Sequence, residues 1–156
     1  VQVVPLKIEH AQEQDFRQVL SVINTTINTI YPKYYPAGVV RFFLEHHAPE
    51  KVQQSIKNRE IYILSSNGIV VGTGSISGNE IGRLFVLPQY QRQGYGKLLM
   101  DFLERTVLER YGSVTLDASL PAIRFYMQRG YRLISFESAT TASQDILCYP
   151  VMSLHR

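Results

Sequence analysis

Apolar residues recur at helical spacing between Gln12 and Ile30, where Phe16, Val19, Leu20, Ile23, Ile27 and Ile30 share one face. Pro32 stops that run. The segment Tyr31 to Pro36 reads as a connector, because two prolines and the residues before them resist helix. Val39 to His47 predicts a short helix, and Pro49 to Lys57 a second with proline in its first turn. Val3 to Ile8 alternates as a strand. Ile61 to Leu64 and Ile69 to Ser77 flank Asn67-Gly68, the strongest hairpin signal in the chain. Ile81 to Leu87 is another strand, ending at Pro88. Gly94 to Tyr111 is a long helix with Tyr95, Leu98, Leu99, Phe102, Leu103 and Val107 on one face and Gly112 as its stop. Val114 to Leu116 is a short strand, and Pro121 to Gln128 a short helix closed by Gly130. Tyr131 to Glu137 and Ile146 to Leu154 are the last two strands.

The order β-α-α-α-β-β-β-α-β-α-β-β mixes antiparallel hairpins with one strand–helix–strand unit at 81–116, which requires a right-handed parallel crossover. It predicts an α/β (α+β) domain with a mixed central sheet of about seven strands. No repeat or linker divides the 156 residues, so 1–156 reads as one domain. Hydrophobic residues are 45% and charged residues 19%, which supports a folded core and excludes extended disorder.

The net charge of +3 is small and the basic residues are scattered, which argues against a nucleic-acid partner. The one cysteine, Cys148, excludes an internal disulfide and a Cys-rich zinc site; its apolar stretch Ile146 to Val151 predicts a buried thiol. No metal site is expected. No run approaches the ~20 apolar residues of a membrane span. Val1 to His10, with Lys7 and Glu9, is unlike a signal peptide. The opening Val1 suggests a trimmed start, and the cytoplasm is the default compartment.

Candidate chemistry concentrates at Val86-Leu87-Pro88-Gln89-Tyr90-Gln91-Arg92-Gln93-Gly94-Tyr95-Gly96-Lys97-Leu98. A strand runs into a glycine-bearing turn that opens an amphipathic helix. The first N–H groups of a helix lack internal partners and, with the helix dipole, favour phosphate. Gly94 and Gly96 clear side chains from that end, and Arg92 and Lys97 add positive charge. A dinucleotide loop would need glycine at Leu99. A nucleoside-triphosphate loop would need glycine at Gln91 and Ser or Thr at Leu98. Both fail. The glycines alone also fit a tight turn with no ligand.

A second segment, Leu116-Asp117-Ala118-Ser119-Leu120-Pro121-Ala122-Ile123-Arg124-Phe125-Tyr126-Met127-Gln128-Arg129-Gly130-Tyr131, runs strand, turn, short helix, strand. Together the two segments resemble the GNAT superfamily of acetyl-CoA-dependent N-acetyltransferases. Its loop pattern Gln/Arg-x-x-Gly-x-Gly/Ala is matched by Gln91, Gly94 and Gly96. Its later pattern is matched by Ala122, Phe125, Tyr126, Gly130 and Tyr131, while Ser119 stands where the pattern has Asn.

The resemblance implies a GNAT-like sheet with a splayed strand pair holding acetyl-CoA as cosubstrate. Leu84, Phe85 and Val86 would lend backbone groups to the pantetheine arm. Gln91, Arg92, Gln93, Gly94, Tyr95, Gly96 and Lys97 would hold the pyrophosphate, with Ser119 a further cofactor contact. Gly82 suits a bulge in the cofactor strand. Tyr126 is the implied general acid for the departing thiolate; the alternative is a core aromatic, a role that Phe125 beside it already fills. Glu80 is the candidate general base, six residues before Val86, and otherwise a solvated turn residue.

Tyr31, Tyr34, Tyr35 and His46 are candidate acceptor contacts. His47, adjacent to His46 on a helix, is expected on a different face. The implied activity is transfer of acetyl from acetyl-CoA to a primary amine of a small molecule or peptide by direct attack, in a monomer or homodimer. The alternative is a non-catalytic acyl-CoA sensor on the same fold. Tyr126 and Glu80 favour the enzyme.

Overall fold

The computed structural model describes residues 5–155. The first strand, β1 (Leu6–His10), begins later than the alternation suggested; Val3 and Val4 lie outside the described residues. A 3₁₀ turn, Glu13–Asp15, leads into α1 (Phe16–Ile30). The Asp15 carboxylate accepts the Gln12 N–H at 2.8 Å and fixes that entry. A second 3₁₀ turn at Tyr31–Lys33 begins the proline connector. Then come α2 (Ala37–His46), α3 (Pro49–Lys57), β2 (Ile61–Ser66), β3 (Ile69–Ser77) and β4 (Glu80–Val86). After α4 (Tyr95–Leu108), β5 (Ser113–Asp117) and α5 (Ile123–Gln128), the described chain closes with β6 (Arg132–Thr140) and β7 (Ile146–His155).

These strands form one seven-stranded sheet in the order β1-β2-β3-β4-β5-β7-β6. Pairing is antiparallel except between β4 and β5, the two ends of the crossover through α4. The β2–β3 turn has Asn67 at φ 54 and Gly68 at φ 80, the left-handed pair that a two-residue hairpin requires. Val19, Ile23 and Ile27 of α1 pack with Val52, Ile61, Ile63 and Phe85 on one face of the sheet. Met100, Leu103 and Val107 of α4 pack with Val114, Leu116, Tyr126 and Met152 on the other. Gly72 and Gly74 let α4 approach closely, since a Cβ at Gly74 would stand 2.5 Å from a Leu103 methyl.

Strand alternation along β7 reverses one expectation. Cys148 pairs with Ser138 across the hairpin and is exposed, because it points to the face of β7 opposite the buried Leu147.

Candidate active site

The site begins with a break in the sheet. β3 pairs with β4 at Gly72–Val86 and Thr73–Phe85, then at Ser75–Gly82, so β4 carries one extra residue. The sequence pointed to Gly82 for this bulge, but the positive φ (+48) belongs to Arg83. Side-chain anchors hold a non-glycine residue in that conformation. Thr73 Oγ1 donates to the Arg83 carbonyl at 2.8 Å. The Arg83 guanidinium donates to His47 Nδ1 and, at 3.3 Å, to Ser55 Oγ.

Past the bulge the ladder decides which backbone groups are available. The Leu87 N–H donates to the Val71 carbonyl at 2.9 Å. By alternation Phe85 also faces β3, while Leu84 and Val86 turn their peptide groups toward β5. β5 meets β4 only at Glu80–Thr115, so the two strands part beyond it. The Val86 carbonyl is occupied by Gln91 Nε2 at 2.9 Å and Thr26 Oγ1 at 3.4 Å. Leu84 and the Val86 N–H therefore face the opening. Phe85 contributes its buried ring instead of its backbone.

A groove of about 530 Å³ runs from this opening to the glycine turn, lined by Leu84, Val86, Arg92, Gly96, Ser119 and Phe125 among others. Gly94 is the N-cap of α4, with φ +86. The first bond of that helix runs from the Leu98 N–H to the Gly94 carbonyl at 3.0 Å. Among the described residues, the backbone N–H groups of Arg92 to Lys97 have no protein acceptor. Gly94 and Gly96 border the groove, as does Lys97, which pairs with Asp101 at 3.1 Å. These bare donors, the helix N-terminus and two cations suit a pyrophosphate, and the splayed strand edge suits an amide-bearing arm. Gln93 and Tyr95 do not line the groove: Gln93 Nε2 bonds the Gln89 carbonyl at 3.1 Å, and Tyr95 packs near Tyr90.

On the far side of the splay lies a cavity of about 190 Å³ that shares Tyr31, Leu84, Phe85, Ser119 and Ala122 with the groove. Besides Tyr31 and Ser119, its polar lining includes Glu80, Asp117, Arg83, His46, His47, Tyr149 and Tyr126. Tyr126 is 6% exposed and packs on Phe125 and Tyr131, with ring centroids 5.4 and 5.6 Å away. Its hydroxyl has no partner among the described residues and is not sealed in protein. The core reading of Tyr126 holds for its ring, while its hydroxyl belongs to the lining of the cavity. Phe125 is the less buried of the two and lines the groove. Behind Tyr126, Arg129 bonds Glu104 at 2.9 and 2.6 Å and Asp101 at 2.7 Å, fastening the end of α5 to α4.

The electrostatics of the cavity are divided. Burial, reinforced by Asp117, raises the Glu80 carboxyl above its ordinary pKa. Burial also raises Asp117, with Glu137 adding to it and His46 opposing. Burial pushes the Tyr126 phenol well above its usual range, so it stays protonated. His47 is driven down to about 3 by burial, then by Arg83, His46 and Lys51, and is a neutral imidazole.

The expected separation of the histidines fails because α2 ends at His46. His47 is its C-cap at φ −110, so helix spacing no longer applies, and the two rings stand 4.9 Å apart on one cavity. Tyr31 lines both groove and cavity, and burial raises its phenol to about 12. Tyr34 is 50% exposed and lines neither space. Tyr35 is a brace, its hydroxyl accepting the Leu120 N–H at 2.7 Å. Sequence reasoning missed Arg83 as a site residue and gave Asp117 and His47 only secondary places. A positive φ on arginine leaves no sequence signal, and Asp117 meets Glu80 only because β4 and β5 are parallel.

A splayed parallel pair, a donor-rich glycine turn and a tyrosine at their junction thus lie together in one place. The model of the acetyltransferase (GNAT) domain matches residues 30–146, and the chain belongs to this family of acetyltransferase enzymes. Over 103 residues it is 26% identical to the peptidyl-lysine N-acetyltransferase YiaC of Escherichia coli, covering 62% of this chain and 68% of that protein. Among solved structures it resembles a GCN5-related N-acetyltransferase from Rhodopseudomonas palustris, with TM-score 0.88, 20% identity and coverage of 100% and 99% of the two chains. The PaiA N-acetyltransferase of Thermoplasma acidophilum, solved with coenzyme A, gives TM-score 0.73 and 17% identity over 97% and 99%.

Proposed function

We propose that the protein transfers an acetyl group from acetyl-CoA to a primary amine of a small molecule or peptide, by direct attack of the amine. The observation that carries this reading is the unpartnered Tyr126 hydroxyl, at a cavity that also holds Glu80 and Asp117 and joins the pyrophosphate-compatible groove. Arg92 to Lys97 would hold the pyrophosphate on backbone N–H groups. Leu84 and the Val86 N–H would pair with the pantetheine amides. Ser119, bordering both spaces, stands at the thioester end.

A thioester supplies an electrophilic carbonyl and a thiolate leaving group. Glu80 accepts the proton lost by the ammonium, directly or through water, and its raised pKa makes it a better base than an ordinary glutamate. As the new C–N bond forms and the C–S bond breaks, Tyr126 donates its proton to the thiolate. No cysteine intervenes: the single Cys148 alternates to the face of β7 opposite Leu147 and Tyr149, which line the cavity. The lysine acceptor in the name of YiaC agrees with an amine substrate. The test is a thiol-release screen with acetyl-CoA across polyamines, amino acids, aminoglycosides and peptides. Turnover with an amine supports the reading. Acetyl-CoA binding with no thiol release from any of them contradicts it.

A further inference from the structure

We propose that His47 is a specificity-determining residue: its Nε2–H, locked in place by Arg83, is a fixed hydrogen-bond donor for a carbonyl oxygen on the acceptor. The enzyme's preferred substrate class is then an aminoacyl group, an amine with a carbonyl oxygen in the same unit, in preference to a plain alkylamine. This rests on the acetyltransferase reading above.

The tautomer follows from geometry. The Arg83 guanidinium has only donors, so the His47 Nδ1 that faces it must accept, and the ring hydrogen sits on Nε2. A second proton would place a donor against a donor beside a cation. Arg83 cannot swing away easily, since Ser55 holds its other nitrogen and its own backbone is set in the bulge. His47 is 7% exposed, and its ring stands edge-on to Phe85 at 5.3 Å, which restricts rotation. Among the described residues Nε2 has no partner, yet it is not sealed in protein, and His47 lines the cavity. A donor that opens onto the cavity with no protein acceptor is free to meet a ligand oxygen there.

The cavity also separates its charges. Glu80 is influenced by Asp117, and Asp117 by Glu137 and His46, so the acid groups cluster. The groups acting on His47 are Arg83, His46 and Lys51, with no carboxylate among them. A ligand matching both parts carries a cationic nitrogen toward Glu80 and Asp117 and an electron-rich oxygen toward His47. The aminoacyl group has both. Phe42, Phe43 and Tyr149 supply apolar wall for its side chain.

The experiment compares phenylalaninamide with phenethylamine, which lacks the carbonyl, in wild type and His47→Leu. The carbonyl also lowers the amine's basicity, so a raw preference proves nothing. The ratio of kcat/KM for the pair, compared between the two enzymes, cancels that effect. The expected result is a ratio at least roughly tenfold lower in His47→Leu, with His47→Gln, which keeps an N–H donor, recovering part of it. Phenylalanylglycine is a further arm that separates a peptide source from a free amino-acid derivative. Should His47→Leu not fold, Arg83→Met releases the tautomer and is expected to lower the same ratio. A folded, active variant with an unchanged ratio overturns the assignment, as does loss that is equal for both amines. Absence of thiol release from every amine in wild type would instead count against the acetyltransfer reading itself.

Discussion

Gln91 Nε2 donates to the Val86 carbonyl at 2.9 Å, tying the glycine turn to the end of the strand that faces the splay. The residue that matches the first position of the loop pattern thus serves the turn as a brace. One N–H of its amide is used on protein while Gln91 still borders the groove, and an anion at this turn would be met chiefly by the backbone N–H donors from Arg92 to Lys97. On the proposed reading, binding at this turn would be set by backbone conformation more than by side-chain charge.

Gly94 tests that statement. A Cβ there meets no protein atom within 4 Å, but φ is +86, where a β-branched residue is strained. Gly94→Val should fold with a modest loss of thermal stability, of order 1–2 kcal/mol. Its acetyl-CoA affinity should fall at least about tenfold, because the donors of the turn are displaced and a side chain occupies the anion's approach. Calorimetric titration checks this. A folded variant with wild-type affinity removes the pyrophosphate from this turn.

Glu80 gives the pH dependence. A base must be deprotonated to act, and the Glu80 pKa is raised, by burial and then by Asp117. With saturating acceptor, kcat should rise with pH along a limb above the ordinary glutamate range. Glu80→Gln should lower kcat by ~10²–10⁴-fold near neutral pH and shift the remaining activity to higher pH. Loss of acceptor attraction alone would raise KM and leave the kcat profile in place. Stability moves the other way. A carboxyl whose folded pKa exceeds its unfolded value contributes stability at low pH that is lost as pH rises through the folded pKa. The melting temperature of Glu80→Gln should therefore match or exceed wild type near neutral pH, with no advantage in acid.

Arg129 tests how Tyr126 is held. Glu104 is 8% exposed, and Arg129→Met leaves its carboxylate without the guanidinium that binds it twice. A broken buried pair costs about 3–5 kcal/mol, measurable by urea unfolding. Arg129 also holds the Asp101 carboxyl below its usual range, chiefly by hydrogen bonding. A depressed carboxylate stabilises above its unfolded pKa and loses that contribution as pH falls through the folded one. The gap between wild type and variant should narrow in acid. An equal stability at neutral pH would show that packing on Tyr131 and Phe125 alone fixes α5.

Much of this fold was legible because its signals are local. Asn67-Gly68 forced a two-residue hairpin, and Phe16 to Ile30 kept one apolar face over four turns. Gly130, at φ +97, closed the short helix as its position implied. Gly94 and Tyr126 were legible as a pair because the loop and the later helix each carry a spacing pattern. What escaped the sequence depends on tertiary contacts. Cys148 looked buried because its neighbours are apolar, but strand alternation turns it to the face opposite the buried Leu147. His46 and His47 looked divergent under helix geometry, which ends between them. Tyr35 looked like a ligand contact, whereas the Leu120 N–H, distant in the sequence, occupies its hydroxyl.

The central claim is that Tyr126 delivers a proton to the leaving thiolate from a hydroxyl kept protonated by burial. Single-turnover thiol release in Tyr126→Phe measures it, alongside acetyl-CoA binding by calorimetry. The substitution removes one oxygen, so ring packing and cofactor affinity should stay close to wild type. The rate of the chemical step should fall by ~10²–10⁴-fold. A variant that binds acetyl-CoA normally and releases thiol at the wild-type single-turnover rate would contradict the role of Tyr126 as general acid.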